Sequence, residues 1–385
     1  MTTSKATDST RRWTGAPDRS LRVVLVVEQL RRALPGGIGR YITGLLQGLS
    51  EMADAGEGVP QVMLYASRAP AGTDPLAAYG FEVVSSILPG PALTRAWDHG
   101  LVDAPGEADV IHALSQAAPP ARHAPLVVTV HDTAWRTVPE AFPGRGRRWH
   151  EASFRRARRR ATRLVVPSEQ AAGDVVAAGA DPGSIVAIAH GSDHLPEPDR
   201  AAAAALLDTL GVDGGFLLSV GTLEPRKNLA RLIDAYGRAR PNLPSPMPLV
   251  IVGPVGWGES PVFRSAEASN VGVVVTGPID DGTLAALYER AHLLAYVPLT
   301  EGFGFPPVEA MRLHTPVVSS PMPGLGGAGL VVDPESVDDI VDGIVRAATD
   351  EVLRAELVAQ GAERTRTLTW AASARAHVAL WESIR

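Results

Sequence analysis

Short runs of β-branched and other apolar residues recur along the chain, each followed by apolar positions at helical spacing. In the first half the runs are Val23–Val27, Val62–Tyr65, Val83–Ile87, Val110–His112, Leu126–Val130, Leu164–Val166 and Ile185–Ile188. In the second half they are Phe216–Val220, Leu249–Val252, Val271–Val275, Leu293–Val297, Pro316–Ser319 and Leu330–Val332. An apolar run without polar alternation is buried on both faces, as in a parallel sheet covered by helices. Strands alternating with helices throughout predict an α/β architecture. The pattern breaks at Gly191–Pro198, where Pro196 and Pro198 forbid a continuing helix and predict a linker before the alanine-rich helix 200–210. Trp370, Val378, Leu380 and Trp381 have no strand after them, so 369–384 is predicted to be a terminal helix that docks on an earlier surface.

The length of 385 residues suits two domains. The expected division is a polar, disordered tail over 1–20, α/β domains over 21–195 and 196–368, and the terminal helix over 369–385. The absence of cysteine excludes a disulfide scaffold, a Cys-ligated metal and a thiolate nucleophile. No apolar stretch approaches the ~20 residues of a spanning helix, and the run from Leu21 to Val27 is too short for a signal peptide. A soluble, cytoplasmic protein is expected. The net charge of −6 conceals a split: residues 1–195 hold 21 basic and 19 acidic groups, and residues 196–385 hold 15 and 23. Nine arginines between Arg145 and Arg163 are opposed only by Glu151, which makes one basic patch and not a nucleic-acid-binding protein.

Four segments carry candidate chemistry. Pro35-Gly36-Gly37-Ile38-Gly39-Arg40 joins the first strand to a helix. It reads either as a tight turn or as a place where backbone and helix N-terminus approach an anion. Val128-Thr129-Val130-His131-Asp132 ends a buried strand in a His–Asp pair, at the carboxyl end where open α/β sheets bind ligands. Ser219-Val220-Gly221 leads through Thr222-Leu223-Glu224-Pro225 to Arg226-Lys227-Asn228 at a helix start. Cations there oppose the helix dipole, so a bound diphosphate explains them better than solvent does. In Glu301-Gly302-Phe303-Gly304-Phe305-Pro306-Pro307-Val308-Glu309 two carboxylates flank a glycine loop with prolines suited to a first helical turn. Glu301 is expected in a loop facing a cleft, Glu309 one turn into a helix, and the backbone N–H groups of 302–305 between them. Carboxylates are good acceptors for vicinal hydroxyls.

These residues resemble the retaining glycosyltransferases of family 4, in particular the mannosyltransferase-like group, and Glu301…Glu309 matches that family's E-x7-E signature. The resemblance runs from Gly36-Gly37 to the terminal helix. It implies a GT-B fold, two facing Rossmann-like domains with a deep cleft and a C-terminal helix crossing back to the N-terminal domain. By the same resemblance, Glu309 would hold ribose hydroxyls and Glu301 a hydroxyl of the donor sugar. Lys227 and Arg226 would hold the diphosphate, with Gly221 beside them. His131, with Asp132 next to it, would stand near the reacting carbon. Gly37 would approach the diphosphate or acceptor, and Gly253 and Gly277 would border the nucleobase. The phosphate loop departs from many relatives, in which an arginine stands where Thr222 does; Arg226 is taken to supply that charge. The segment Ser319–Gly324 is shorter than in relatives, which leaves its contacts open.

No cofactor and no metal are implied, and the chain has no D-x-D motif. The donor implied is GDP-mannose, with UDP-sugars as the alternative, and the acceptor is an unspecified sugar, lipid-linked or small molecule. A departing diphosphate that takes the acceptor's proton needs no protein nucleophile. A nucleotide-sugar 2-epimerase or phosphorylase on the same fold, and a non-catalytic nucleotide-binding protein, are the competing readings. The helix around Trp149 buries Trp149, Ala157, Ala161 and Leu164 and turns its arginines outward. A solvated face is the favoured reading; docking on anionic membrane or steering of a phosphate-bearing acceptor is the alternative.

Overall fold

The structure is a computed structural model that describes residues 20–244, 247–256 and 272–385. Apart from Ser20, the expected tail lies outside the described residues, as does Val271 of the predicted tenth strand.

The N-terminal half is a seven-stranded parallel sheet of β1 (Arg22–Val26), β2 (Gln61–Ala66), β3 (Glu82–Ser85), β4 (Val110–Ala113), β5 (Leu126–Thr129), β6 (Arg163–Val166) and β7 (Ile185–Ala187), in the order β3-β2-β1-β4-β5-β6-β7. The C-terminal half is a six-stranded parallel sheet of β8 (Leu217–Val220), β9 (Leu249–Val252), β10 (Val273–Gly277), β11 (Leu293–Tyr296), β12 (Val317–Ser319) and β13 (Leu330–Val331), in the order β10-β9-β8-β11-β12-β13. Every apolar run therefore contributes a strand. The reason is visible in the packing: Val23 and Leu25 point into one core while Val24 and Val26 point into another, on the opposite face of the sheet. Leu249 and Ile251 part in the same way from Val250 and Val252. Helices on both faces make these strands mainly apolar, and among the buried polar exceptions His112 and Thr129 bond each other. Two doubly wound sheets facing each other constitute the GT-B architecture.

Helix α1 (Gly36–Asp54) leads away from β1, and the last helix, α5 (Trp370–Ile384), returns from the second half to pack against it. Gly44 and Gly48 make this approach possible, because a Cβ on either would overlap Trp370. Trp370 and Trp381 are fully buried within the N-terminal core. Helix α2 (Gly144–Arg160) is anchored by Phe154 and Ala157 and keeps most of its arginines exposed. Phe154, which the sequence reading passed over, is its main apolar anchor. Among the described residues no helix is long and apolar enough to cross a membrane.

Candidate active site

The two halves meet where their strands end. After β8, Gly221 and Gly253 sit side by side at φ 155° and 147°, and a Cβ on Gly253 would overlap the Gly221 carbonyl oxygen. The chain then makes a 3-10 turn, Pro225–Lys227, and Asn228 at φ 58° opens α3 (Leu229–Ala239). Asn228 fixes this turn by donating to Val297 O at 3.0 Å and Pro334 O at 2.8 Å. The Arg–Lys pair thus precedes α3 and is not in its first turn.

Both cations converge on Glu301. Lys227 Nζ bonds its carboxylate, Arg226 Nη1 lies 2.7 Å from Oε1, and Tyr296 Oη donates to the same oxygen at 2.9 Å. Arg226 is also held by Glu224 at 2.9 Å and by Thr300 O at 3.1 Å. Burial pushes the Glu301 pKa up, but Arg226 and Lys227 outweigh it and hold the group at about 2. Burial lowers the Lys227 pKa, with Glu301 opposing that change, and raises that of Glu224.

Glu309 lies in the second turn of α4 (Phe305–Arg312) and its side chain is 2% exposed. It accepts from His194 Nε2 at 2.9 Å and from Tyr288 Oη at 2.8 Å, and Arg40 Nε approaches at 3.3 Å. The indole N–H of Trp370 donates to His194 Nδ1 at 3.1 Å, so the imidazole proton sits on Nε2 and points at Glu309. Burial again opposes ionisation, and Arg40 with His194 overcomes it, which leaves the Glu309 pKa at about 2. Arg40 comes from α1 and also pairs with Asp281 at 3.0 Å, so it ties the two halves together.

His131 donates through Nε2 to Leu114 O at 3.0 Å, and burial lowers its pKa, so the ring is neutral. Tyr41 meets it edge-on at 4.9 Å. Asp132 accepts from Ala134 N at 3.0 Å and lines a small pocket with Glu301 and Gly302. Gly302 lies so near the His131 backbone that a Cβ would overlap the His131 carbonyl oxygen, which closes the cleft there. Phe303 and Phe305 flank the buried His190, with Phe305 stacked on it at 5.2 Å and Trp370 at 5.8 Å. Gly304, at φ 94°, starts α4. Gly37 lies against Phe305 across the cleft, and Gly277, at φ 73°, faces open space. The shortened segment packs under the same loop: Gly324 N donates to Phe303 O at 2.8 Å and Ser320 Oγ to Pro298 O at 2.7 Å.

The structure thus gathers His131, Asp132, Arg226, Lys227, Glu301 and the 302–305 loop into one cleft, with Glu309 close by. Sequence reasoning did not assign Arg40, His190, His194, Tyr288 or Trp370, which hold Glu309 and the phenylalanine loop. Arg40 closes the glycine segment already singled out, and its position one turn into α1 was the only local signal.

Two facing Rossmann-like sheets with an ionised glutamate pair and a cation pair in their cleft define the class, an α/β protein of GT-B architecture. The family described as "Glycosyltransferase Family 4" matches residues 35–194 and "Glycosyl transferases group 1" matches residues 209–364. The chain belongs to glycosyltransferase family 4. It is 29% identical over 253 residues to the O-antigen chain mannosyltransferase B of Escherichia coli, which covers 63% of this chain and 66% of that one. It is 28% identical over 375 residues to the phosphatidyl-myo-inositol mannosyltransferase of Mycolicibacterium smegmatis, covering 91% of each. It spans only 22% of the length of the Escherichia coli serotype-specific mannosyltransferases it also matches. The sucrose-phosphate synthase of Thermosynechococcus elongatus shares the fold, with a TM-score of 0.74 at 21% identity over 94% of this chain and 98% of that one.

Proposed function

We infer that the protein transfers a hexose, mannose in the favoured reading, from a nucleoside-diphosphate sugar to an acceptor hydroxyl with retention at the anomeric carbon and without a metal. The observation that carries this is the buried pair of glutamates, both held ionised at about 2 and joined by the 302–305 loop. Glu309 accepts the ribose hydroxyls, a role suited to a carboxylate whose three protein donors leave lone-pair capacity. Glu301 accepts a hydroxyl of the transferred sugar. Lys227 and Arg226 then bind the diphosphate and stabilise the charge that develops on its departing oxygen. That oxygen takes the acceptor proton while the neutral His131 orients the sugar. The relatives named as mannosyltransferases support mannose and hence GDP-mannose; UDP-sugars are the alternative.

Calorimetry of nucleotide-sugar binding to Lys227→Ala and Glu309→Ala tests the assignment, after a thermal-shift screen of GDP-, UDP- and dTDP-sugars identifies the donor. Each substitution is expected to weaken binding by at least tenfold. Undiminished affinity in both overturns the reading. Transfer of label to an acceptor separates transferase from epimerase, and transfer undisturbed by a chelator is expected.

A further inference from the structure

A cavity of about 1120 Å³ opens at the carboxyl ends of β1, β2 and β3, bounded by the turn after β1, the loop after β2, the start of helix Gly90–Asp98 and the first turns of α2. Arg32, Arg68, Arg95 and Arg145 line it from four separate segments, and all four are exposed. None of them makes an ion pair or side-chain hydrogen bond with a described residue. The two carboxylates in the lining are already engaged. Glu28 is buried and accepts from Ser67 N at 2.7 Å, while Asp98 accepts from the Trp149 indole at 3.2 Å and pairs with Arg156. Arg31 is fixed by Asp74 and Ser85 and forms a rigid wall.

Four uncompensated guanidiniums in one concavity repel one another, and the concave surface focuses their field on anything that enters. Arginine matches phosphate oxygens with two parallel hydrogen bonds, a geometry that lysine cannot reproduce. A chain of aromatic contacts links the cavity to the cleft. Trp149 meets His150 edge-on at 5.0 Å, and His150 stacks on Trp135 at 5.2 Å, directly after the His131–Asp132 strand end. Arg32 and Asp132 both act electrostatically on the His150 ring.

We propose that this cavity is the acceptor site and that the acceptor carries a phosphate group, which the four arginines bind while its hydroxyl faces His131. The proposal rests on the glycosyltransferase reading above. Arg145 belongs both to the cavity lining and to the exposed arginines of α2, so the phosphate can belong either to a lipid headgroup or to a soluble ester.

The test titrates inorganic phosphate at low salt into the full chain, into R68A/R95A, into R68K/R95K and into K227A. Phosphate affinity is expected to fall by about tenfold per arginine removed, to recover partly with lysine, and to persist in K227A. Nucleotide-sugar affinity should show the reverse, kept in R68A/R95A and lost in K227A. All four arginine positions are exposed, and circular dichroism verifies that the variants fold. Phosphate binding that is absent in the parent chain, or unchanged in R68A/R95A, overturns the proposal. Nucleotide binding unchanged in K227A instead overturns the donor assignment, whatever the phosphate result. Co-sedimentation with vesicles of equal parts phosphatidylglycerol and phosphatidylcholine, lost in R68A/R95A, assigns the phosphate to lipid. Phosphate binding without sedimentation assigns it to a soluble acceptor.

Discussion

Replacing Glu309 by Gln keeps the shape of the side chain and removes its charge. The carboxylate has a pKa of about 2 in the fold against an ordinary 4.5. Because the unfolded chain takes up the proton first, its contribution is complete above pH 4.5 and is lost as pH falls through 2. At roughly 1.4 kcal/mol per pH unit, that gap corresponds to about 3 kcal/mol at neutral pH. A second route gives the same size. Removing one member of a buried ion pair costs about 3–5 kcal/mol, and Arg40 keeps Asp281 at 3.0 Å, which places the loss at the lower end. The new amide can accept on one side but turns its N–H groups toward a donor, Tyr288 or His194, on the other. Urea unfolding followed by tryptophan fluorescence reports on the site directly, since Trp370 bonds His194. The variant should be about 3 kcal/mol less stable than the parent at pH 7, and the difference should shrink as pH falls from 4.5 toward 2. Equal stability at pH 7, or a difference that persists at acid pH, would refute the reasoning.

His377, fully buried between Tyr41 and Ser373, has its pKa lowered by burial to about 4. The unfolded chain therefore takes up this proton first, so stability drops by about 3 kcal/mol between pH 6.5 and 4; His377→Gln should flatten that limb of an unfolding-versus-pH curve, above the carboxylate range. Gly302→Ala places a methyl group against the His131 carbonyl oxygen, which should disfavour the closed cleft by about 1–3 kcal/mol. Small-angle scattering should then show a larger radius of gyration while circular dichroism stays unchanged. Trp370→Phe removes the N–H that fixes the His194 tautomer, at about 1 kcal/mol. Nucleotide affinity measured by calorimetry should weaken about fivefold, with KM for the donor affected more than kcat.

The strands were legible because a sheet covered on both faces is built mainly of apolar residues, and β-branched runs of three to five residues have few other uses. The Glu301–Glu309 loop was legible for a related reason, since its glycines, prolines and carboxylates are local and consecutive. What escaped is assembled from afar. Glu309 is held by residues 40, 194 and 288, and His194 is oriented by residue 370. In the sequence, His194 stands between a glycine turn and two prolines and reads only as punctuation, while Trp370 reads only as the apolar face of a terminal helix.

That division has a consequence for how the two halves work together. The C-terminal half carries the excess of acidic groups, so its overall field repels a nucleotide diphosphate and cannot be the attraction in the proposed function. In the proposed function the attraction comes from Arg226 and Lys227 at short range; both are engaged with Glu301, and Arg226 also with Glu224. On that proposal, a diphosphate that draws these cations toward itself would loosen their hold on Glu301 and free that carboxylate for a sugar hydroxyl. Ribose at Glu309, as proposed, would likewise compete with Arg40, the residue that ties α1 to Asp281. On the proposed roles, donor binding and the relative placement of the halves would be coupled through the same two glutamates. Arg40→Ala should separate the two effects: Glu309 keeps His194 and Tyr288, so nucleotide affinity should hold or rise, whereas the closed arrangement should lose its tie to Asp281. A loss of nucleotide affinity in Arg40→Ala equal to that in Glu309→Ala would show that Arg40 binds the donor itself and that no such competition exists.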